Sequence, residues 1–160
     1  MLDVMNTIST KTRRNEFTGE DFPIILIDDK ELDEIIHDCR PDIHVDLVPT
    51  LLYWLGKEQE RQLVWNRIEL EANKKIVPIL MCSEDIDLDC TRIVAQVFLE
   101  NNIVIWEKIG QDLTGFGINY DLIGETVDWF PSLGPYYFDK KQYLNCISLF
   151  RAFNKYHAED

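Results

Sequence analysis

Three apolar runs, Ile76 to Cys82, Thr91 to Leu99 and Ile103 to Ile109, follow one another with short polar breaks between them. They constrain the fold more than any other feature. Each is rich in β-branched residues and far shorter than the ~20 apolar residues of a membrane-spanning helix, so each reads as a strand. Asn101-Asn102 between the second and third suits a tight antiparallel turn, because asparagine tolerates left-handed backbone angles. Pro78 has no N–H to donate and argues that the first run is an edge strand or a strand start. Thr126 to Phe130 and Tyr136 to Phe138 read as further short strands, with Gly110, Gly115, Gly117 and Gly124 marking loops between them.

The pattern before these runs has a longer period. Pro23 to Ile27 is a short strand, and Asp28 is placed to cap a following helix with Glu31 three residues on. Leu32, Ile35, Ile36 and Cys39 share one face of that helix, and Pro41 ends it. A second helix is expected from near Asp46, with Pro49 in its first turn, a stripe of Leu47, Leu51, Leu52 and Leu55, and Gly56 at its C-terminus. Residues 57–74 fit a third helix, with Val64, Ile68 and Ala72 four apart, although Ile68 and Leu70 also alternate with charges as a strand would. The chain closes with a helix capped by Asp139, with Gln142 at its third position and an apolar face of Tyr143, Leu144, Ile147, Phe150 and Phe153. The sum is an α+β fold: N-terminal helices, a mostly antiparallel sheet and a C-terminal helix. At 160 residues it makes one domain, over 23–160, behind an irregular segment, 1–22, that holds Lys11, Arg13 and Arg14.

Charge narrows the function. Twenty-nine acidic residues face 16 basic ones, a formal net charge of -13. Acidity of this kind serves solubility, and it also steers association with basic proteins. It opposes direct binding to nucleic acid backbones and to anionic membranes. The start, Met1-Leu2-Asp3-Val4-Met5, lacks the basic-then-apolar pattern of a secretion signal, which points to the cytosol. There Cys39, Cys82, Cys90 and Cys146 read as free thiols packed as small apolar side chains.

Searches for chemistry return little. The loop Glu84-Asp85-Ile86-Asp87-Leu88-Asp89 begins like a calcium loop, but counting from Asp85 the required glycine and glutamate are replaced by Cys90 and Gln96. Cys82 and Cys90, even with His37 and His44, lack the close ligand pairs of a structural zinc site. Gly115-Phe116-Gly117 starts a dinucleotide fingerprint whose third glycine is Tyr120. No catalytic residue, cofactor or metal is therefore assigned. One enzymatic alternative stays open: a small hydrolase whose pocket sets His37 or His44 beside Cys39, Cys82 or a carboxylate pair.

The stretch Val77-Pro78-Ile79-Leu80-Met81-Cys82-Ser83-Glu84-Asp85-Ile86-Asp87-Leu88-Asp89-Cys90-Thr91, with Val104-Ile105-Trp106-Glu107-Lys108-Ile109-Gly110-Gln111-Asp112 after it, resembles immunity proteins of bacterial contact-dependent growth inhibition systems. Residues 126–144 extend the likeness. The resemblance implies a cytosolic, non-enzymatic inhibitor. Its partner would be the C-terminal toxin domain of a related cell, often a basic nuclease acting on transfer RNA. An adaptor subunit for a basic host protein has the same charge requirements.

Charge and position, not the resemblance, select the expected contact residues. Glu84, Asp85, Asp87 and Asp89 form one acidic edge, and Asp112, Asp121 and Asp128 another. Trp129, Tyr136 and Tyr137, among Gly and Pro in 129–137, are the expected aromatic anchors, a residue type that serves both cores and interface hot spots. Trp54 and Trp65 belong to helical stripes and to the core.

Overall fold

The computed structural model describes residues 5–16, 18–43, 46–84, 87–89, 91–114 and 119–158. Two sheets and three helices form a single α+β domain. The first sheet holds β1 (Ile8–Arg14), β2 (Asp21–Ile27) and β3 (Lys30–Glu31), paired antiparallel in that order. After α1 (Leu32–Cys39) the second sheet begins with β4 (Leu47–Pro49). It continues beyond α2 (Glu58–Arg67) with β5 (Lys75–Cys82), β6 (Arg92–Glu100) and β7 (Ile103–Asp112). On the far edge of β7, two short strands lie end to end: β8 (Val127–Trp129) pairs with Gly110 to Asp112, and β9 (Tyr136–Asp139) with Ile103 to Trp106. The closing helix, α3 (Lys140–Ala158), packs on β1, β2, β7 and β9, while α2 packs on β5. Among the described residues, no helix is long and apolar enough to cross a membrane.

The central hairpin forms as the sequence predicts. Asn101 and Asn102 both take positive φ, 52° and 63°, and turn β6 into β7. Pro78 does not mark an edge. It sits inside a strand flanked by β4 and β6, at a register shift and beyond the last β4 pair, Pro49 with Leu80. Gly110 is strand, not loop: a Cβ there would meet Asp128 O at 2.5 Å, so only glycine lets β8 come this close.

Four further expectations are corrected. The N-terminal segment is not irregular, because β1 pairs with β2 along its whole length and its cations are matched: Arg13 by Glu31 and Asp33, Lys11 by Glu31, and Arg14 by Asp21. Asp28 caps no helix. With φ of 52° and 65°, Asp28 and Asp29 make the two-residue turn between β2 and β3, and the Asp28 carboxylate accepts from Asn6 Nδ2 and Thr7 N, both at 2.8 Å. The helix expected from Asp46 is absent. Leu47 to Leu52 are buried on every side, so no amphipathic stripe exists, and Val48-Pro49-Thr50 disfavours helix. The Thr50 hydroxyl instead donates to Pro78 O at 2.7 Å. The helix expected over 57–74 is real but stops at Arg67.

The core joins both sheets and all three helices. Its centre is aromatic: Trp106 meets Phe138 edge-on at 5.4 Å, and its Nε1 donates to Tyr143 Oη at 3.2 Å. The same burial pushes the Tyr143 hydroxyl well above its ordinary pKa. α3 is capped as predicted, by Gln142 N donating to Asp139 Oδ2 at 3.0 Å. Gln142 Oε1, however, accepts from Ile8 N at 3.2 Å and so ties α3 to β1.

Candidate functional site

The acidic loop after β5 is fastened from below by α2. Glu60, fully buried, accepts the Leu88 N–H on Oε2 at 2.7 Å. Among the described residues its Oε1 has no hydrogen-bond partner, and burial pushes the carboxyl pKa up, with Asp87 and Asp89 adding to the shift against Lys57. Lys57, at the helix start, donates to Asp89 Oδ2 at 3.3 Å and to Tyr120 Oη at 3.4 Å. At the helix end, Arg67 donates to Asp121 O at 3.0 Å and Ile123 O at 2.7 Å. One helix therefore positions two loops: 84–89 and the 3-10 turn Tyr120–Leu122.

A buried ion pair joins the same loops from the sheet side. Arg92 opens β6 and Asp112 ends β7, and Nε meets Oδ2 at 2.8 Å with both side chains out of solvent. The guanidinium also donates to Leu88 O and, at 2.8 Å, to Thr114 O. Asp112 Oδ1 accepts from Thr114 Oγ1 at 2.7 Å, Gly124 N at 3.1 Å and Thr114 N at 3.3 Å. Buried charges must be compensated in this way to be tolerated at all.

The expected contact residues thus separate. Glu84 and Asp89 are exposed and Asp87 half-buried on the first loop, and exposed Asp121 stands beside them, across the Lys57 bridge. The two expected edges are, in this part, one ledge. It also exposes two leucines, Leu113 at 54% and Leu122 at 39%. Asp112 is corrected: it lies inside the protein, paired with Arg92, and holds the ledge without facing a partner. Asp85, Cys90, His44 and the Gly115-Phe116-Gly117 motif lie outside the described residues.

Asp128 is exposed, but Arg40 engages it at 2.8 Å, with the guanidinium 5.4 Å from the Phe130 ring. Trp129 is half-buried beneath Lys108. Tyr136 and Tyr137, both half-buried, pair with Trp106 and Ile105 on β7. Six residues of strand separate that point from Asp112, roughly 20 Å. Tyr136 and Tyr137 therefore do not join the ledge, whereas Trp129, paired with Gly110, lies nearer to it. Tyr136 stacks on Phe138, Tyr137 exchanges backbone contacts with Asn6, and burial raises the Tyr136 pKa.

The remaining reactive side chains are dispersed among other elements. His37 is exposed on α1, and His157 faces Glu20 at 3.3 Å. Cys39 Sγ lies 3.2 Å from Ser132 Oγ, Cys82 is buried in β5, and burial pushes the Cys146 thiol up to about 12. Among the described residues, no three His, Cys, Asp or Glu side chains are grouped to hold a metal ion.

Glu60, Arg67, Arg92 and Lys57 are the site builders that sequence reasoning missed. For Glu60 a signal existed: it stands four residues before Val64 on the stripe that continues to Ile68, so a carboxylate occupies a core position. Compared with models of protein families, with curated proteins and with solved structures, the chain matches none of them.

Proposed function

We propose that this chain is a cytosolic immunity protein, which docks its acidic ledge on a basic toxin domain and blocks that domain's active or substrate-binding surface. One observation carries the reading. Glu84, Asp87, Asp89 and Asp121 are gathered on two loops that α2 and the Arg92–Asp112 pair hold in place, beside two exposed leucines. A protein evolved only for solubility needs its charges dispersed, not anchored by buried groups. Pre-positioned carboxylates suit a cationic face built for phosphates, where complementary charge speeds encounter and like charge rejects wrong partners. Leu113 and Leu122 supply apolar contact within such a ledge; a standard interface buries about 1,600 Å² in total.

The test is rescue followed by kinetics. Cells expressing the toxin domain encoded next to this chain should survive when the chain is co-expressed. Glu84→Gln, Asp87→Asn, Asp89→Asn and Asp121→Asn together should slow association at low salt by about tenfold or more and flatten its salt dependence. Failure to rescue removes the immunity reading. Rescue with an unchanged association rate removes the ledge from the interface.

A further inference from the structure

We infer that the outer face of α3 is a second docking surface, one that receives an acidic, leucine-bearing segment of a partner protein. The charge of the chain is unevenly distributed. α3 carries Lys140, Lys141, Arg151 and Lys155 and no acidic side chain, in a molecule of net charge -13. Of the 16 lysines and arginines, all but three reach an ion pair, a backbone carbonyl or an aromatic ring among the described residues. The three are Lys140, Lys141 and Lys155, and all are on α3.

Two of them are placed against the interests of the helix. Lys140 and Lys141 occupy the first turn, where the helix dipole disfavours cations, and only the capping Asp139, just before that turn, offsets them. Charges that a fold tolerates at a cost are expected where binding uses them. Apolar groups share the face. Leu144, Leu149 and Tyr156 are 42%, 52% and 80% exposed, half of the large exposed apolar side chains among the described residues. Spacings of three and four residues set Lys141, Leu144, Ser148, Ala152 and Lys155 along one stripe, with small Ser148 and Ala152 as its floor. Lys140, Lys141 and Leu144 also line an open groove with Asn102, Asn145 and the capping Asp139, two lysines against one carboxylate.

Charge complementarity identifies the occupant. Three unmatched ammonium groups, with Leu144, Leu149 and Tyr156 spread over the same outward half of the helix, fit carboxylates interspersed with leucines. A bilayer fits less well, because two leucines and one tyrosine offer little to bury, and the rest of the chain repels anionic lipid. The Lys140 end of the face is also remote from the acidic ledge. Lys140 N bonds Asn102 O at 3.1 Å, at the turn joining β6 to β7, whereas the ledge adjoins the opposite ends of those strands, roughly 25–30 Å away. The inference therefore stands whether or not the ledge meets a toxin.

The full chain, labelled with ¹⁵N, should be titrated at low salt with two synthetic peptides of equal negative charge. One is glutamate alone, and the other sets leucine at helical spacing among glutamates. The expected result is movement of the α3 signals from Lys141 to Tyr156, with the leucine peptide bound about tenfold tighter or more. Lys140→Ala with Lys141→Ala should abolish that preference while leaving the melting temperature unchanged or raised, a combination that a merely structural role does not give. Leu149→Asp provides an independent variant, for which affinity must also fall. Equal affinity for both peptides, or binding that survives these substitutions, overturns the proposal. So does a response to phosphatidylglycerol vesicles without one to the peptide, or self-association in sedimentation that Leu149→Asp abolishes.

Discussion

Asp112→Ala should be among the most damaging single substitutions in this protein. The side chain is fully buried, and its removal takes away the carboxylate that meets the Arg92 guanidinium inside the protein and the acceptor of the Thr114 and Gly124 N–H groups. Breaking a buried pair from one side costs about 3–5 kcal/mol, because a charge stays desolvated and uncompensated. The lost hydrogen bonds belong to the same network and are not added on top. For a chain of this size each kcal/mol lowers the melting temperature by about 2–4 °C, so a fall of roughly 6–20 °C is expected. Asp112→Asn separates the components: it keeps an acceptor for Thr114 and Gly124 and removes only the charge. The double variant Arg92→Met, Asp112→Leu should recover part of the loss, since replacing both partners removes the desolvated charge altogether. Urea denaturation of the four proteins measures each quantity. A loss below about 1 kcal/mol for Asp112→Ala, or a double variant less stable than Asp112→Ala, would refute the account.

Glu60→Gln should stabilise the protein at neutral pH. The folded carboxyl titrates above its unfolded value of about 4.3, so wild-type stability is favoured below that pH and declines as pH rises through the folded pKa. The gain from glutamine should therefore vanish near pH 4 and grow toward pH 7, as urea midpoints across that range will test; a gain that shrinks with rising pH contradicts the sign. Asp139→Ala should cost about 0.5–2 kcal/mol through loss of the cap to Gln142 N, measured the same way, with Asp139→Ser recovering most of it.

The second half of the fold was the more legible because its signals are local. Asn101-Asn102 requires a turn whatever surrounds it, and alternating β-branched runs specify strands over any few residues. The first half was misread where tertiary pairing overrides local pattern. Leu47 to Leu55 has helical spacing, yet β5 and α3 both engage its backbone: Asn154 Nδ2 donates to Leu51 O at 2.7 Å, while Val48 pairs with Met81. β1 is polar on its outer face and forms because β2 offers it a ladder, which no window over 1–22 contains. The acidic residues of the site were readable by type. Their roles were not, since nothing in Asp112 or Asp121 alone distinguishes the carboxylate that bonds to an arginine from the one left in water. That distinction depends on Arg92, twenty residues away in sequence.

The tie between β1 and α3 has a consequence for how the protein is made. Ile8 binds Gln142, Asn6 binds Tyr137, and α3 covers strands from the first thirty residues. At translation speeds of ~5–20 residues per second, the first strand waits on the order of ten seconds for the helix that shields it. Until then Ile8 and the apolar side chains of β2 are open to solvent and to other nascent chains. Trimming the last turns of the chain, or stalling the ribosome short of them, should therefore yield aggregation and not a smaller stable fold.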